Sequence, residues 1–264
     1  MTPQQKRRYS RHILLDGFGL EGQEKILTGK VLVVGAGGLG SPILQYLAAA
    51  GIGHIGIMDG DMVSLSNLQR QTIHTTSDIS RPKTDSAKEK ILALNPEVRV
   101  TTFPYFITQD NALDIIRPYD FIIDATDNFS AKYIINDACV MLSKPFSMAG
   151  VNRYGMQVTT HLVGSACYRC FFPDPPAQEE VETCAMVGVL GSVVGMCGTI
   201  QATECIKHLS GVGQLLTNQL LCIDALTMQF STIKIERNPD CPLCGNSPSI
   251  NQLREYAFKP CKQQ

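Results

Sequence analysis

The sequence has 264 residues, 44% of them hydrophobic, and a formal net charge of −1 at pH 7. A chain of this length can bury a substantial core, and its near-neutral charge argues against a nucleic-acid or membrane-surface binder, which is usually basic. The opening stretch MTPQQKRRYSRHILL carries charges where a secretory signal would be apolar, so we expect no export signal and a cytoplasmic protein.

Strand-like and helical runs alternate through the first half of the chain, a pattern typical of a parallel, doubly wound sheet. The predicted strands cover residues 31–35, 54–59, 98–103 and 121–127, and the predicted helices cover 42–50, 82–94, 111–117 and 130–142. Beyond about Pro145 the apolar runs become short and alternating, as in PFSMAGV, GMQVTTHL, LLCIDAL and MQFSTIKI. We therefore predict an α/β fold with a Rossmann-like doubly wound sheet, parallel in its N-terminal half and extended by antiparallel strands.

The segment from Thr183 to Thr203 carries no formal charge and approaches the length of a membrane span. Its glycines, its hydroxyl groups and Gln201, with Glu204 and Lys207 close behind, favour a buried core helix instead. Four glycines recur in it at helical spacing: Gly188, Gly191, Gly195 and Gly198. That spacing predicts one helix face packed closely against another backbone, and no membrane span.

The stretch VLVVGAGGLGS places Gly35, Gly37 and Gly40 at G-x-G-x-x-G spacing, directly after an apolar strand. Asp59 closes the next strand-like run, about twenty residues on. This arrangement is the dinucleotide-binding fingerprint. An NAD-dependent oxidoreductase is therefore one interpretation of the motif.

Polar loops follow the second and fourth predicted strands, with the sequences DGDMVSLSNLQRQ, RPK and DATDN. Their candidate ligand-binding residues are Asp59, Asp61, Asn67, Arg70, Arg81, Lys83, Asp124, Asp127 and Asn128. All are expected at the carboxyl edge of the sheet, where open α/β sheets bind ligands. Several cations beside a carboxylate suited to Mg²⁺ fit a nucleoside triphosphate better than a dinucleotide. Asp61 and Asp124 could instead bind local backbone, and the cations could be solvated surface charges.

In their order along the chain, GAGGLG, DGDMVSLSNLQRQ, RPK, DATDN and two CxxC pairs resemble the ThiF/MoeB/HesA adenylyltransferases, bacterial relatives of ubiquitin-activating enzymes. The resemblance runs from about Arg8 to Gly245. It implies a single adenylation domain over residues 1–264, with a nucleotide-binding half at about 8–145. A carrier- and zinc-binding half would cover about 146–245, followed by a tail at 246–264.

The resemblance assigns roles around ATP, the implied substrate. The loop backbone at Gly38 and Gly40 would approach the nucleotide, and Asp59 would bind the ribose hydroxyls. The implied nucleotide-binding residues are Gly38, Gly40, Asp59, Asp61, Ser66, Asn67, Arg70, Lys83, Asp127 and Asn128. Among them, Asn67, Arg70 and Lys83 would contact the phosphates.

Five residues have implied catalytic roles: Arg70, Lys83, Asp127, Arg11 and Cys184. Asp127 would hold Mg²⁺, with Asn128 beside it. Arg11 would reach into the active site of the other subunit of a homodimer. Cys184, at the end of an acidic, proline-rich loop, matches a position that can carry a covalent link to the sulfur pathway. The alternative is an ordinary loop cysteine.

Ten cysteines in a chain without an expected export signal favour thiols or a metal site over disulfides. The two CxxC pairs are Cys167–Cys170 and Cys241–Cys244. Each pair can place two thiolates on one tetrahedral ion, so together they predict a structural Zn²⁺ with no open coordination position. A redox-active disulfide in one pair is the alternative.

The resemblance implies attack by the C-terminal glycine carboxylate of a ubiquitin-like sulfur-carrier protein on the α-phosphate of ATP, releasing pyrophosphate. We favour a ThiS-like carrier, for thiamine thiazole synthesis, over a MoaD-like carrier, for molybdopterin synthesis. The carrier would end in Gly-Gly, and a separate protein, a cysteine desulfurase or a sulfurtransferase, would donate the sulfur. Two more distant alternatives are an NAD-dependent oxidoreductase and a scaffold that binds a ubiquitin-like protein without activating it.

Overall fold

The structure, a computed structural model, describes residues 1–175 and 187–255. Its strands are β1 (Lys30–Val34), β2 (His54–Met58), β3 (Arg99–Phe103), β4 (Phe121–Asp124), β5 (Phe146–Asn152), β6 (Gly155–His161), β7 (Gln219–Asp224) and β8 (Gln229–Lys234). Its α-helices are α1 (Pro3–Arg8), α2 (Ser10–Ile13), α3 (Gly19–Thr28), α4 (Gly40–Ala50), α5 (Lys83–Leu94), α6 (Ala112–Ile116), α7 (Phe129–Met141) and α8 (Gly191–Ser210). Cys184 and Cys261 lie outside the described residues.

The described strands form one sheet in the order β3-β2-β1-β4-β5-β6-β7-β8. The pairs from β3 to β5 are parallel, and those from β5 to β8 are antiparallel. The predicted fold class is therefore confirmed, including the change from parallel to antiparallel strands after Pro145.

Both faces of the parallel half are buried, and β1 illustrates why its sequence is a continuous apolar run. Val31 and Val33 belong to a core shared with α4 and α8, whereas Leu32 and Val34 belong to a core shared with α6 and α7. Alternate side chains of a strand point to opposite faces, so a strand covered on both sides must be apolar at every position.

The helix α8 packs against α3, α4 and β5. Its glycines behave differently from one another: a Cβ at Gly198 would lie 2.5 Å from the Leu39 carbonyl oxygen, whereas one at Gly195 would meet nothing within 4 Å. The expected close backbone contact therefore exists at Gly198 and also at Gly191, but not along the whole glycine row. Within residues 1–175 and 187–255, no helix has both the length and the apolar character to cross a membrane.

Candidate functional site

The carboxyl ends of three neighbouring strands lie side by side. Val34 of β1 is in register with Met58 of β2 on one side and with Asp124 of β4 on the other. The loops that follow these strands begin at Gly35, Asp59 and residue 125, and they carry the polar motifs found in the sequence. The strand order reverses beside β1, and such a switch point is where ligands bind in open α/β sheets.

The glycine-rich loop needs its glycines for steric reasons. Gly35 has φ +105°, and a Cβ there would lie 2.6 Å from the Ala125 carbonyl oxygen. A Cβ at Gly40 would lie 2.0 Å from the Gly35 carbonyl oxygen, and one at Gly38 would lie 2.7 Å from Val194 Cγ1. The loop therefore packs closely against the loop after β4 and against α8. Because its glycines have no side chains, a ligand would contact the backbone of the loop.

The Asp59 side chain fixes this loop to the next one. Its carboxylate accepts hydrogen bonds from the Ala36 N–H at 2.8 Å and the Asp61 N–H at 2.9 Å. Burial raises the pKa of Asp59 above its usual value, and nearby Lys83 works in the opposite direction. A buried carboxylate between two loops is well placed to accept hydrogen bonds from hydroxyl groups of a bound molecule.

Lys83 begins α5 and is only 5% exposed. Its Nζ lies 2.8 Å from Asp61 Oδ2 and 3.9 Å from Asp59 Oδ1. The Lys83 backbone N–H also donates to the Asp61 carbonyl oxygen at 3.0 Å. The RPK segment is thus bound to the loop after β2, and this puts a cation beside the Asp59 carboxylate.

The SNLQRQ segment folds into a short 3₁₀ helix, Leu65–Asn67, followed by a turn. Arg70 Nη1 donates to the Ser66 carbonyl oxygen at 3.1 Å, and Asn67 is buried with its Oδ1 accepting from the Ser64 N–H. The Arg70 side chain also lies against the glycine loop, because a Cβ at Gly38 would be 3.4 Å from Arg70 Cγ. The structure therefore brings this motif next to the glycine-rich loop.

Two carboxylates, one at the end of β4 and one in the loop that follows it, have different surroundings. Asp124 is fully buried, binds Lys132 Nζ at 2.9 Å and accepts from both Thr126 N–H and Thr126 O–H. Asp124 therefore serves the fold. Asp127 is exposed in the turn before α7, and Asn128 caps that helix by accepting from the Ala131 N–H at 2.8 Å.

Two residues of this region were missed at the level of sequence. The His74 ring connects the glycine-rich loop to α5, with Nε2 2.9 Å from the Ala36 carbonyl oxygen and Nδ1 2.8 Å from Ser86 Oγ. Burial lowers the pKa of His74, so the ring is neutral and its Nε2–H donates. Gln71 is 4% exposed, faces Gly37, and has a buried Oε1 without a hydrogen-bond partner. Gln71 is the last residue of SNLQRQ and His74 follows it closely, so their position beside this motif was the sequence signal that could have identified them.

The four cysteines of the CxxC pairs converge, with all Sγ atoms within 4.8 Å of one another. Cys167 and Cys241 Sγ atoms are 3.7 Å apart, and those of Cys170 and Cys244 are 3.4 Å apart. Tetrahedral zinc with bonds of about 2.3 Å to sulfur needs sulfurs about 3.8 Å apart. The donor set and its spacing therefore fit one tetrahedral metal ion. We call these four residues the Cys₄ centre.

Comparison with known proteins identifies the family. Residues 9–243 match the ThiF family. The chain belongs to the ThiF family. A sulfur carrier protein adenylyltransferase of Thermus thermophilus is 44% identical over 261 residues, covering 97% of this chain and 96% of that protein. The SAMP-activating enzyme E1 of Haloferax volcanii is 43% identical over 238 residues, covering 90% and 88%. The predicted family and the predicted class of enzyme, an adenylyltransferase, are confirmed.

Two other comparisons cover less of the matched protein. An adenylyltransferase and sulfurtransferase MOCS3 of Drosophila virilis is 43% identical over 252 residues, but this chain spans only 56% of its length. A crystal structure of E. coli MccB with ATP superposes with a TM-score of 0.80 at 23% identity, covering 90% of this chain and 74% of that one. The second likeness shows the fold alone.

In this ThiF family chain, Arg11 lies far from the polar loops. It is exposed on α2, which is fixed by hydrogen bonds of the residues on either side of Arg11. The Tyr9 hydroxyl accepts from Asn95, which follows the last residue of α5. His12 binds Gln23, whose Nε2 donates to the Ala50 carbonyl oxygen at the end of α4 at 2.8 Å. The ends of these helices lie at the amino edge of the sheet, opposite the polar loops.

An apolar groove of about 310 Å³ opens between α7, the antiparallel strands and the segment 171–174. Its apolar lining consists mainly of Phe129, Tyr133, Met148, Phe171, Phe172 and Leu220. Because Phe129 begins α7, the groove starts next to Asp127 and Asn128 in the loop after β4. It therefore leads from the antiparallel half of the sheet toward the carboxyl edge of the parallel half.

Proposed function

We propose that this chain uses ATP to adenylate the C-terminal glycine carboxylate of a ubiquitin-like sulfur-carrier protein of the ThiS-like kind. The observation that carries the proposal is the meeting of Lys83, Asp59 and the SNLQRQ turn beside the glycine-rich loop. The name of the Thermus thermophilus relative, similar along almost its full length, supports the class of substrate.

The reaction is a displacement at phosphorus. An oxygen of the carrier's terminal carboxylate forms a bond to the α-phosphorus, and the bond from that phosphorus to the bridging oxygen of the β-phosphate breaks. The bridging oxygen leaves with the electron pair as part of pyrophosphate, and the carrier becomes an acyl-adenylate. A carboxylate is already ionised at neutral pH, so the step needs no general base.

The main obstacle is electrostatic, because two anions must approach each other. Fixed cations offset this repulsion and stabilise the charge on the leaving group. In our proposal Lys83 and Arg70 supply these cations, Asn67 and Ser66 add polar contacts to the phosphates, and Asp61 holds the Lys83 ammonium in place at 2.8 Å before the nucleotide binds.

The nucleoside end of ATP would be held by the loops after β1 and β2. The backbone at Gly38 and Gly40 would meet the nucleotide, and the Asp59 carboxylate would accept hydrogen bonds from the ribose hydroxyls. Asp127, exposed at the same edge, has the oxygen donors that Mg²⁺ prefers alongside phosphate oxygens, with Asn128 beside it. The ion would supply charge neutralisation at the phosphates.

The other parts of the proposal concern assembly and sulfur transfer. The Cys₄ centre would hold a structural Zn²⁺, and residues 1–264 would act as one adenylation domain. The position of Arg11 at the amino edge supports a homodimer in which it reaches the site of the partner. Cys184, outside the described residues, would form the covalent link to the sulfur pathway. The protein would act in the cytoplasm, and a separate cysteine desulfurase or sulfurtransferase would donate the sulfur.

The groove beside α7 has the form that an extended C-terminal segment needs. Its far end opens onto the antiparallel strands, and its near end is lined by Phe129, two residues after Asp127. A carrier docked on the antiparallel half could lay its last residues along this groove, which would bring the terminal carboxylate to the phosphates.

Carrier-dependent exchange of labelled pyrophosphate into ATP tests the proposal. We expect exchange with a ThiS-like carrier ending in Gly-Gly, and none when the terminal glycine is deleted. Exchange with a MoaD-like carrier alone would establish the alternative carrier. Absence of exchange with every Gly-Gly-ended carrier, in protein that still binds ATP, would refute the adenylation of a carrier and favour a binding scaffold.

A further inference from the structure

Arg169 lies between the two cysteines of the first CxxC pair, and it is 2% exposed. Its Nε and Nη2 donate to the two carboxylate oxygens of Asp137 on α7, each at 2.8 Å. Asn136, the preceding residue of α7, accepts from the Tyr168 N–H at 2.8 Å. A buried ion pair adds little net stability compared with an apolar pair of equal size, but its bidentate form fixes an orientation.

The Arg169 guanidinium also binds the backbone of the segment 171–174. Arg169 Nη1 donates to the Pro173 carbonyl oxygen at 2.7 Å, and its central carbon lies 4.7 Å from the Tyr133 ring centroid. The Tyr133 hydroxyl lies within hydrogen-bond distance of the carbonyl oxygens of Phe172, at 3.0 Å, and Asp174, at 2.8 Å. Arg169 and Tyr133 thus bind the backbone of residues 172–174, with the single hydroxyl hydrogen of Tyr133 available to either of its two neighbouring carbonyl groups.

The held segment forms one wall of the apolar groove. Phe171 and Phe172 line it, and their rings pack against Tyr168 with centroids 5.3 Å and 5.2 Å away. Phe172 is nevertheless 45% exposed. Its N–H donates to the Tyr168 carbonyl oxygen at 3.0 Å, and Arg169 and Tyr133 add hydrogen bonds to the carbonyl groups of the segment.

We propose that Arg169 and Tyr133 are positioning residues through which the Cys₄ centre shapes the groove and thereby sets the affinity for the carrier's C-terminal segment. The inference rests on the proposed function, because it takes the carrier as the occupant of the groove. It separates two parts of the site: carrier affinity depends on the Cys₄ centre, whereas the part of the ATP site formed by the loops after β1 and β2 does not.

The direct test is Tyr133→Phe, which keeps the ring and removes only the hydroxyl. The matched control is Tyr9→Phe, since Tyr9 is also buried and its hydroxyl accepts a hydrogen bond from Asn95 Nδ2 at 2.9 Å, away from the groove. Carrier binding without ATP is measured by calorimetry, using the carrier that supports exchange. We expect a roughly fivefold rise in the carrier Kd for Tyr133→Phe, as for the loss of one hydrogen bond, and no change for the control.

A second variant addresses the ion pair without leaving a buried charge alone. In Arg169→Met combined with Asp137→Leu, both partners become apolar, and such exchanges usually fold. We expect a tenfold or larger rise in the carrier KM of pyrophosphate exchange, with kcat, the KM for ATP and one zinc per chain unchanged. A purely structural role would instead lower the zinc content or raise both KM values.

The outcomes are distinguishable. If the wild-type chain binds and activates a carrier but both variants retain its carrier Kd and KM, the inference is wrong and the proposed function stands. If the wild-type chain neither binds nor activates any Gly-Gly-ended carrier, both fail. A parallel rise in the KM for ATP would also overturn the inference, because the two parts of the site would then not be separate.

Discussion

Replacing Lys83 by alanine should slow carrier adenylation by a hundredfold or more. The Lys83 ammonium is buried and lies between Asp61 and Asp59, at 2.8 and 3.9 Å. Two unit charges about 4 Å apart interact by roughly 4 kcal/mol at the effective dielectric constant of a protein surface. Part of this attraction to phosphate replaces the existing attraction to Asp61, so we expect a net loss of about 3 kcal/mol in transition-state stabilisation, which is just over a hundredfold in rate.

The assay is carrier-dependent pyrophosphate exchange at saturating ATP, with Lys88→Ala as the control, since Lys88 also lies on α5 but outside the polar loops. Because Lys83→Ala leaves Asp59 and Asp61 without their cation, the stability of the variant must also be measured, by thermal unfolding. A folded Lys83→Ala protein that retains a third or more of the wild-type rate would refute the electrostatic role of this lysine. Loss of activity in the control would show that the assay responds to any charge removed from α5.

Three further predictions concern the metal, the dimer and pH. Cys241→Ser should lower the zinc content below one ion per chain and reduce the free energy of unfolding by up to about 4 kcal/mol, the entropy of the loop that the metal closes; Cys222→Ser, outside the Cys₄ centre, should not, as zinc analysis and denaturant unfolding would show. Mixing Arg11→Ala with Arg70→Ala subunits should restore about a quarter of the wild-type activity if the two residues meet across a dimer, because only mixed dimers contain one intact site. No recovery would place Arg11 outside the partner's site. Because burial lowers the pKa of His74 below 6.5, the unfolded chain takes up the proton first. The free energy of unfolding should therefore fall as pH drops from about 6.5 toward the folded pKa, by up to about 1.4 kcal/mol per pH unit, and His74→Gln should make the dependence shallower; an unchanged slope would contradict the burial effect.

The fold could be predicted largely because its signals are local. The run VLVV is apolar at every position because both faces of β1 are covered, and Gly35 and Gly40 are required by contacts with the neighbouring loop and with each other. Each of these constraints acts within a few residues of sequence or repeats at a fixed period. Spacing also predicted the convergence of Cys167 and Cys170 with the second pair, because each CxxC turn is itself a bidentate unit.

The use of each polar residue at the edge could not be predicted in the same way. Asp124 and Asp127 are three residues apart in one motif, yet Asp124 is buried in an ion pair with Lys132, whereas Asp127 is exposed. That difference arises when α7 docks on the sheet, and no local pattern encodes it. The sequence around His74 does not indicate its contacts for the same reason: its two partners, Ala36 and Ser86, are 38 and 12 residues away.

The place of Arg11 in the fold limits the role that this residue can have in its own chain. The Tyr9 hydroxyl binds Asn95 at the end of α5, and His12 binds Gln23 on α3, so Arg11 between them cannot move to the opposite edge without breaking both hydrogen bonds. A role for Arg11 at the phosphates of its own chain would require α2 to detach, whereas a second copy could present it without any internal change. The exposed Leu14 and Leu15, 71% and 56% accessible just after α2, supply apolar surface beside Arg11 for such a contact. In the proposed homodimer the role of Arg11 would therefore depend on assembly, whereas Lys83 is held within its own chain by Asp61.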